Sequence, residues 1–112
     1  MNNGTYSFES FQQLLTDEKG MLVYFYSDRC APCISLRPKV QQMVSEDFPK
    51  LKLVFINAEN HPAIAAHYGV FANPCILVFF EGREFQRYSK YISISQLGYD
   101  LERIYTIAFQ ED

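Results

Sequence analysis

The chain has 112 residues, a net charge of −3, 48% hydrophobic and 21% charged residues, and a mass of 13.1 kDa. This fits one domain over 1–112 that buries roughly two-thirds of its unfolded surface, and it excludes disorder, a fibrous repeat and a disulfide-dense mini-scaffold. A pI near 5.3 offers no basic surface for nucleic acid, and the longest apolar run, the six residues Cys75 to Phe80, is far short of the ~18 a membrane span needs.

Along the chain, Phe8, Phe11, Leu14 and Leu15 mark one face of a helix, with Ser7 as N-cap and Lys19-Gly20 as its end. Met21 to Tyr26 is a continuous apolar, aromatic and β-branched run, the pattern of a strand covered on both faces. After Ser27-Asp28-Arg29, a second helix is expected to start between Cys30 and Pro32, since proline suits the first helical turn. Its buried face reads Leu36, Val40, Met43 and Val44, with Pro38 inside it as an expected kink and Phe48-Pro49 as its end. Leu51 to Asn57 reads as a second strand, and Pro62 to Tyr68 as a short helix stopped by Gly69. Cys75 to Phe80 is a third strand, Glu81-Gly82 a turn, and Glu84 to Tyr91 its antiparallel partner. A last helix carries Leu97, Leu101, Ile104 and Tyr105, with Ser93 and Gln96 at capping-box spacing. The order αβα–βα–ββα predicts a mixed sheet with helices on both faces, its first two strands parallel and its last two antiparallel.

Cys30-Ala31-Pro32-Cys33 carries the chemistry. Two cysteines three residues apart on a helix share one face, at a Cα spacing of about 5 Å that a disulfide tolerates. A helix N-terminus carries partial positive charge, so a thiolate there is stabilised, with Arg29 adding to the effect. More thiolate makes a better nucleophile toward a disulfide. The other use of such a pair is half a zinc site, whose remaining ligands here would come from Cys75, His61 and His67, without a recognised spacing. The odd cysteine count and the absence of a basic, apolar leader pattern at the start point to a reducing compartment, with the cytoplasm expected.

From about residue 7 to 106 the sequence resembles the thioredoxin family. The resemblance rests on a buried strand ending just before C-x-P-C, Pro38 five residues after the second cysteine, Tyr68-Gly69-Val70, and Asn73-Pro74 leading into an apolar strand and a turn at Gly82. It implies a three-layer α/β/α thioredoxin fold with a central mixed sheet of four or five strands. It also implies an enzyme, a protein-disulfide reductase or oxidoreductase. That enzyme would have no bound cofactor or metal, disulfide-containing protein substrates and a partner such as thioredoxin reductase, with no nucleic acid or membrane partner. By motif, Cys30 is the attacking and Cys33 the resolving cysteine. Pro74 is the family's cis-proline and turns the backbone of Asn73 toward an extended substrate. Arg29 lies on the substrate rim, and exposed Phe71 is expected to add apolar surface to it.

Three departures from the family pattern bear on function. Arg29 and Ala31 stand where the family usually has Trp and Gly. Tyr24 and Phe55 replace the family's buried acid and its lysine, which leaves Tyr24, a water or the local environment to deprotonate Cys33. Cys75 follows Pro74 where Thr is usual; it reads either as a small buried hydrophobe or as a third redox or metal-binding thiol near Cys33. Two other functions therefore stay open at this point: a thioredoxin-fold module that binds proteins with little turnover, and a metal or iron–sulfur protein using Cys30, Cys33 and Cys75. Asp28 is expected to be a solvated loop charge, His61 a turn residue and His67 a favourable charge at a helix end.

Overall fold

A computed structural model describes residues 5–110. The elements run α1 (Phe8–Asp17), β1 (Gly20–Tyr26), α2 (Ala31–Asp47), β2 (Lys52–Asn57), α3 (Pro62–His67), β3 (Cys75–Phe80), β4 (Arg83–Ser89) and α4 (Ile94–Ala108). All eight expected elements are present, with ends shifted by a few residues at most.

The four strands form one sheet in the order β2-β1-β3-β4. β1 and β2 are parallel, as the helix between them requires; β1–β3 and β3–β4 are antiparallel. Alternation along the central strands sorts side chains onto two faces. Leu22, Tyr24, Phe55, Ile76, Val78 and Phe80 face α2 and α4, packing with Val40, Met43, Val44, Leu97 and Leu101. Met21, Val23, Phe25, Val54, Ile56, Cys75, Leu77 and Phe79 face α1 and α3, packing with Phe11, Leu15, Ile64 and Ala65. Covered on both sides, β1 and β3 are continuously apolar, which is why their sequence shows no polar alternation. β4 is the outer strand, and its charged, largely exposed residues suit an edge.

Local chemistry explains the ends. Ser7 caps α1 in a full capping box whose return bond comes from Ser10. The expected stop at Lys19-Gly20 is displaced: α1 ends at Asp17, and buried Gly20 opens β1. A Cβ on Gly20 would come within 2.7 Å of Leu51 Cδ2 and 2.9 Å of Phe80 Cε1, so close packing and not helix termination selects glycine there. Gly69 stops α3 at φ +66°. The Glu81-Gly82 link has positive φ at both residues, 54° and 78°, the backbone of a tight hairpin. At α4 only half of the expected capping box forms. Ser93 accepts from the Gln96 backbone at 3.2 Å, while the Gln96 side chain turns instead to Asp100 at 2.8 Å. Leu36, expected in the buried face of α2, is only half-buried, and Cys33 takes the buried position. No helix is long and apolar enough to cross a membrane among the described residues.

Candidate active site

β1 and β3 are antiparallel with Phe25 opposite Cys75, so the end of β1 lies beside the start of β3. The loop to Cys30 leaves one strand and the Asn73-Pro74 segment enters the other at the same end of the sheet. Topology thus brings the dithiol and the proline loop together from positions about forty residues apart.

Cys30 is the N-cap of α2 and Pro32 stands in its first turn. The expected start of the helix is met. Cys30 and Cys33 are joined by a disulfide with a Cα separation of 5.3 Å. The backbone N–H of Cys33 donates to Cys30 Sγ at 3.2 Å. An N-cap side chain normally receives such a bond through oxygen; here sulfur receives it, so a thiolate on Cys30 meets a donor and the positive end of the helix dipole together. Both cysteines are largely covered, at 8% and 3% exposure, and Cys30 is the more accessible of the two. Ala31, Pro32 and Ile34 beside them are exposed or nearly so, Ile34 at 73%.

The Asn73-Pro74 bond is cis, as expected. Pro74 is buried, and its carbonyl accepts from Lys90 N at 2.9 Å. Asn73 is half-buried, and its Oδ1 is a buried atom without a hydrogen-bond partner. Phe71 is 88% exposed on the same loop and lines a shallow pocket with Asn73 and residues of α3. Arg87 on β4 braces this loop from below, donating to the carbonyls of Tyr68 at 2.7 Å and Gly69 at 3.3 Å while paired with Glu84 at 2.8 Å. That hydrogen-bonded pair holds the Glu84 carboxyl below its ordinary range.

Tyr24 and Cys75 each carry more than one reading, and for Cys75 the structure bears out that of a small buried hydrophobe. Tyr24 is fully buried, and its hydroxyl donates to the Cys33 carbonyl at 2.6 Å. Burial pushes its pKa up to about 12, with nearby Arg37 pulling weakly the other way. At neutral pH the phenol keeps its proton and already spends it on a carbonyl, so Tyr24 holds the first turn of α2 against β1 and does not serve as a base. Cys75 packs on the opposite face of the sheet from Cys30 and Cys33, among Phe11, Val23, Phe25 and Leu77. Burial also pushes its thiol pKa up. The sheet separates it from the pair, so a shared metal site or direct exchange with Cys33 is not what this arrangement offers. Among the described residues no cluster of His, Cys, Asp and Glu is arranged to hold a metal ion.

The remaining candidates divide. Arg29 is exposed on the loop before Cys30. Asp28 is not simply solvated, because Asn57 Nδ2 donates to its carboxylate at 3.1 Å. His61 is buried; its Nε2 accepts from Tyr6 N at 3.0 Å, which leaves the proton on Nδ1 to bond the Asn57 carbonyl at 2.8 Å. It closes the turn after β2, as expected, through its own N–H to the Ala58 carbonyl at 3.4 Å, and its buried ring is also a structural tie. His67 lies in the last turn of α3, its ring 4.8 Å from that of Phe8.

Sequence reasoning missed Arg37 and Asn57. Arg37 stacks on Phe55 at 3.9 Å and on Tyr26 at 5.4 Å, so its guanidinium lies beside the ring that stands where the family places a lysine. Its signal was the i,i+4 spacing from Cys33. Asn57 gave none, since a polar residue ending an apolar strand reads as ordinary loop chemistry. A pocket of about 190 Å³ lies against Cys33, lined by Tyr26, Ser27, Asp28, Cys33, Ile34 and Arg37. A larger one, about 730 Å³, lies between β4 and α4 and includes neither cysteine.

Comparison with known proteins agrees with this geometry. Residues 4–102 match the family model described as Thioredoxin. The chain is 30% identical over 104 residues to the thioredoxin-like protein YdfQ of Bacillus subtilis, covering 93% of this chain and 92% of the relative. It is 31% identical over 103 residues to the chloroplastic thioredoxin Y of Oryza sativa, covering 91% of this chain and 61% of that one. Among solved structures, a mutant thioredoxin from Halobacterium salinarum superposes with a TM-score of 0.78 at 24% identity, over 91% of this chain and 88% of that one. Plasmodium falciparum thioredoxin gives 0.78 at 15% identity, over 88% and 95%. At those identities the structures speak for the fold alone. The family-model match over most of the chain, and a dithiol lodged at the helix entrance where the fold brings the proline loop, make this chain a member of the thioredoxin family, a thiol–disulfide oxidoreductase that exchanges disulfides with protein substrates through Cys30 and Cys33.

Proposed function

We propose that Cys30 is the attacking cysteine, Cys33 the resolving one, and reduction of protein disulfides the working direction. The observation that carries the assignment is the N–H of Cys33 aimed at Cys30 Sγ at the mouth of α2, an arrangement that favours the thiolate on Cys30. Cys30 thiolate attacks one sulfur of the substrate disulfide, the substrate's other sulfur leaves, and a mixed disulfide forms. Cys33 then attacks Cys30 Sγ, the substrate sulfur leaves as a thiolate, and the protein keeps the disulfide. The substrate gains two electrons and two protons, both from the dithiol. A partner reductase of the thioredoxin reductase kind restores the dithiol, in a reducing compartment for which three cysteines and a lone buried thiol suit the cytoplasm.

Arg29, Asn73 and Pro74 bind the substrate chain in this reading. An extended peptide would lie along the backbone at Asn73, with Phe71 and Ile34 supplying apolar contact.

Substrate trapping tests the assignment. Cys33→Ser should accumulate covalent partners through Cys30 that dithiothreitol releases, and Cys30→Ser should accumulate none. Insulin reduction by dithiothreitol should be accelerated by the parent chain and not by Cys30→Ser. A Cys33→Ser chain that captures nothing covalently, with a parent no faster than buffer, overturns the reading and leaves a module that binds without turnover.

A further inference from the structure

The resolving step needs a thiolate on Cys33, because a thiol is not the nucleophile. Cys33 is 3% exposed, so its proton must leave through whatever polar space touches it. The charged and titratable groups around it come from three segments. From β1 come Tyr24 and Tyr26, from the β1–α2 loop Asp28, and from α2 Arg37; the neutral Asn57 of β2 bonds Asp28. Tyr24 is committed to the Cys33 carbonyl. Arg37 has only donors, and a phenol such as that of Tyr26 is a far weaker acceptor than a carboxylate. Among the described residues that line this pocket with Cys33, the one carboxylate is that of Asp28.

We infer that Asp28 is the proton acceptor for Cys33 during resolution, acting through water in the pocket bounded by Tyr26, Ser27, Asp28, Cys33, Ile34 and Arg37. The inference rests on the assignment of Cys33 as the resolving cysteine. About 190 Å³ is room for several water molecules. Asn57, buried at the end of β2, holds the carboxylate by one oxygen at 3.1 Å. Arg37, stacked on Phe55 and Tyr26, supplies positive charge to the pocket wall, which favours a thiolate forming on Cys33. In the step, the Cys33 S–H proton passes by water to the Asp28 carboxylate as Cys33 sulfur bonds to Cys30 Sγ. The bond from Cys30 to the substrate sulfur breaks, and the departing substrate thiolate takes a proton from solvent. Asp28 returns its own proton to water, so electrons are only exchanged between sulfurs and no co-reactant is needed.

The pocket places the route to solvent on the rim of the site, through a loop residue and a helix residue four positions beyond Cys33. A buried acid at position 24 is not required for it.

Asp28→Asn separates this part from a structural one. Asparagine keeps an oxygen for Asn57 to bond, so the loop is retained, while proton uptake is lost. The experiment forms the mixed disulfide between the reduced chain and a peptide disulfide, then follows release of the peptide thiol by stopped flow from pH 6 to 10. In Asp28→Asn, resolution should slow by about tenfold or more at pH 7. The deficit should narrow steadily as pH rises, because hydroxide then takes the Cys33 proton without the carboxylate. Asp28→Glu should recover most of the rate, and mixed-disulfide formation should change less than about twofold in both variants. Resolution in Asp28→Asn within about twofold of the parent at pH 7, with the same pH profile, overturns the inference while leaving the dithiol assignment intact. Failure of Cys33→Ser to capture the peptide covalently through Cys30 overturns the assignment itself.

Discussion

On the α2–α4 side of the sheet two cysteines stand at the mouth of a helix, joined to each other, with a small pocket beside Cys33 that Asp28 and Arg37 help to line. On the α1–α3 side Cys75 is 3% exposed among apolar side chains, with its thiol ionisation opposed by burial. Cys33 and Cys75 are equally covered, yet one is part of an exchange site and the other is packing. Exposure alone therefore does not decide reactivity. What separates them is position: Cys30 and Cys33 stand in the first turn of α2 with an N–H donor aimed at Cys30 sulfur and an open pocket beside Cys33, whereas Cys75 sits in a strand packed among apolar side chains.

Four measurements break or sharpen this contrast. The largest effect is expected in thiol labelling. In the oxidised chain Cys75 should react with an aromatic disulfide reagent at least about a thousandfold more slowly than it does in guanidinium, because access requires unfolding; fast labelling of the folded chain would dissolve the contrast. Next is turnover. Cys30→Ser should lower disulfide reduction by on the order of a hundredfold or more, whereas Cys75→Ala should leave it within about twofold, measured by insulin reduction and by denaturant melts that report the lost packing.

Tyr24→Phe comes third. It removes the hydroxyl that satisfies the Cys33 carbonyl, and should cost about 1–3 kcal/mol at pH 7. Its pH dependence is the sharper readout. The folded chain holds the Tyr24 proton to about pH 12, the unfolded chain only to 10.0. The parent's extra stability is whole below pH 10 and drains away as pH climbs from 10 to 12, by up to about 3 kcal/mol that Tyr24→Phe does not lose. Parallel stability curves for the two chains above pH 10 would remove Tyr24 from the account. The smallest effect belongs to Glu84→Gln. The Arg87 pair holds Glu84 below its ordinary 4.5, so its contribution exists above that pH and disappears as pH falls through the lowered value. The pair is over a third exposed on one partner, so the difference should be no more than about 0.5 kcal/mol, read as a change in denaturant midpoint between about pH 7 and about pH 3.

Element types were legible because each is signalled locally. Apolar runs bounded by turn residues marked the strands, and Ser7, Pro32 and Gly69 marked helix ends. The Cys30–Cys33 pair was legible for the same reason, its geometry being that of one helical turn. Gly20 and Gln96 were misread where a contact distant in sequence, or a competing partner one turn along, overrode the local rule.

The sequence by itself determined the dithiol, the proline after which β3 begins and the pattern of a doubly covered sheet, since these depend on neighbours within a few residues. Only the tertiary structure decided which face each cysteine occupies, where the Tyr24 hydroxyl spends its proton, and that Asp28, Asn57, Arg37 and Cys33 come together. Those relations are set by strand pairing and helix packing across long stretches of chain, and no local pattern of residues carries them.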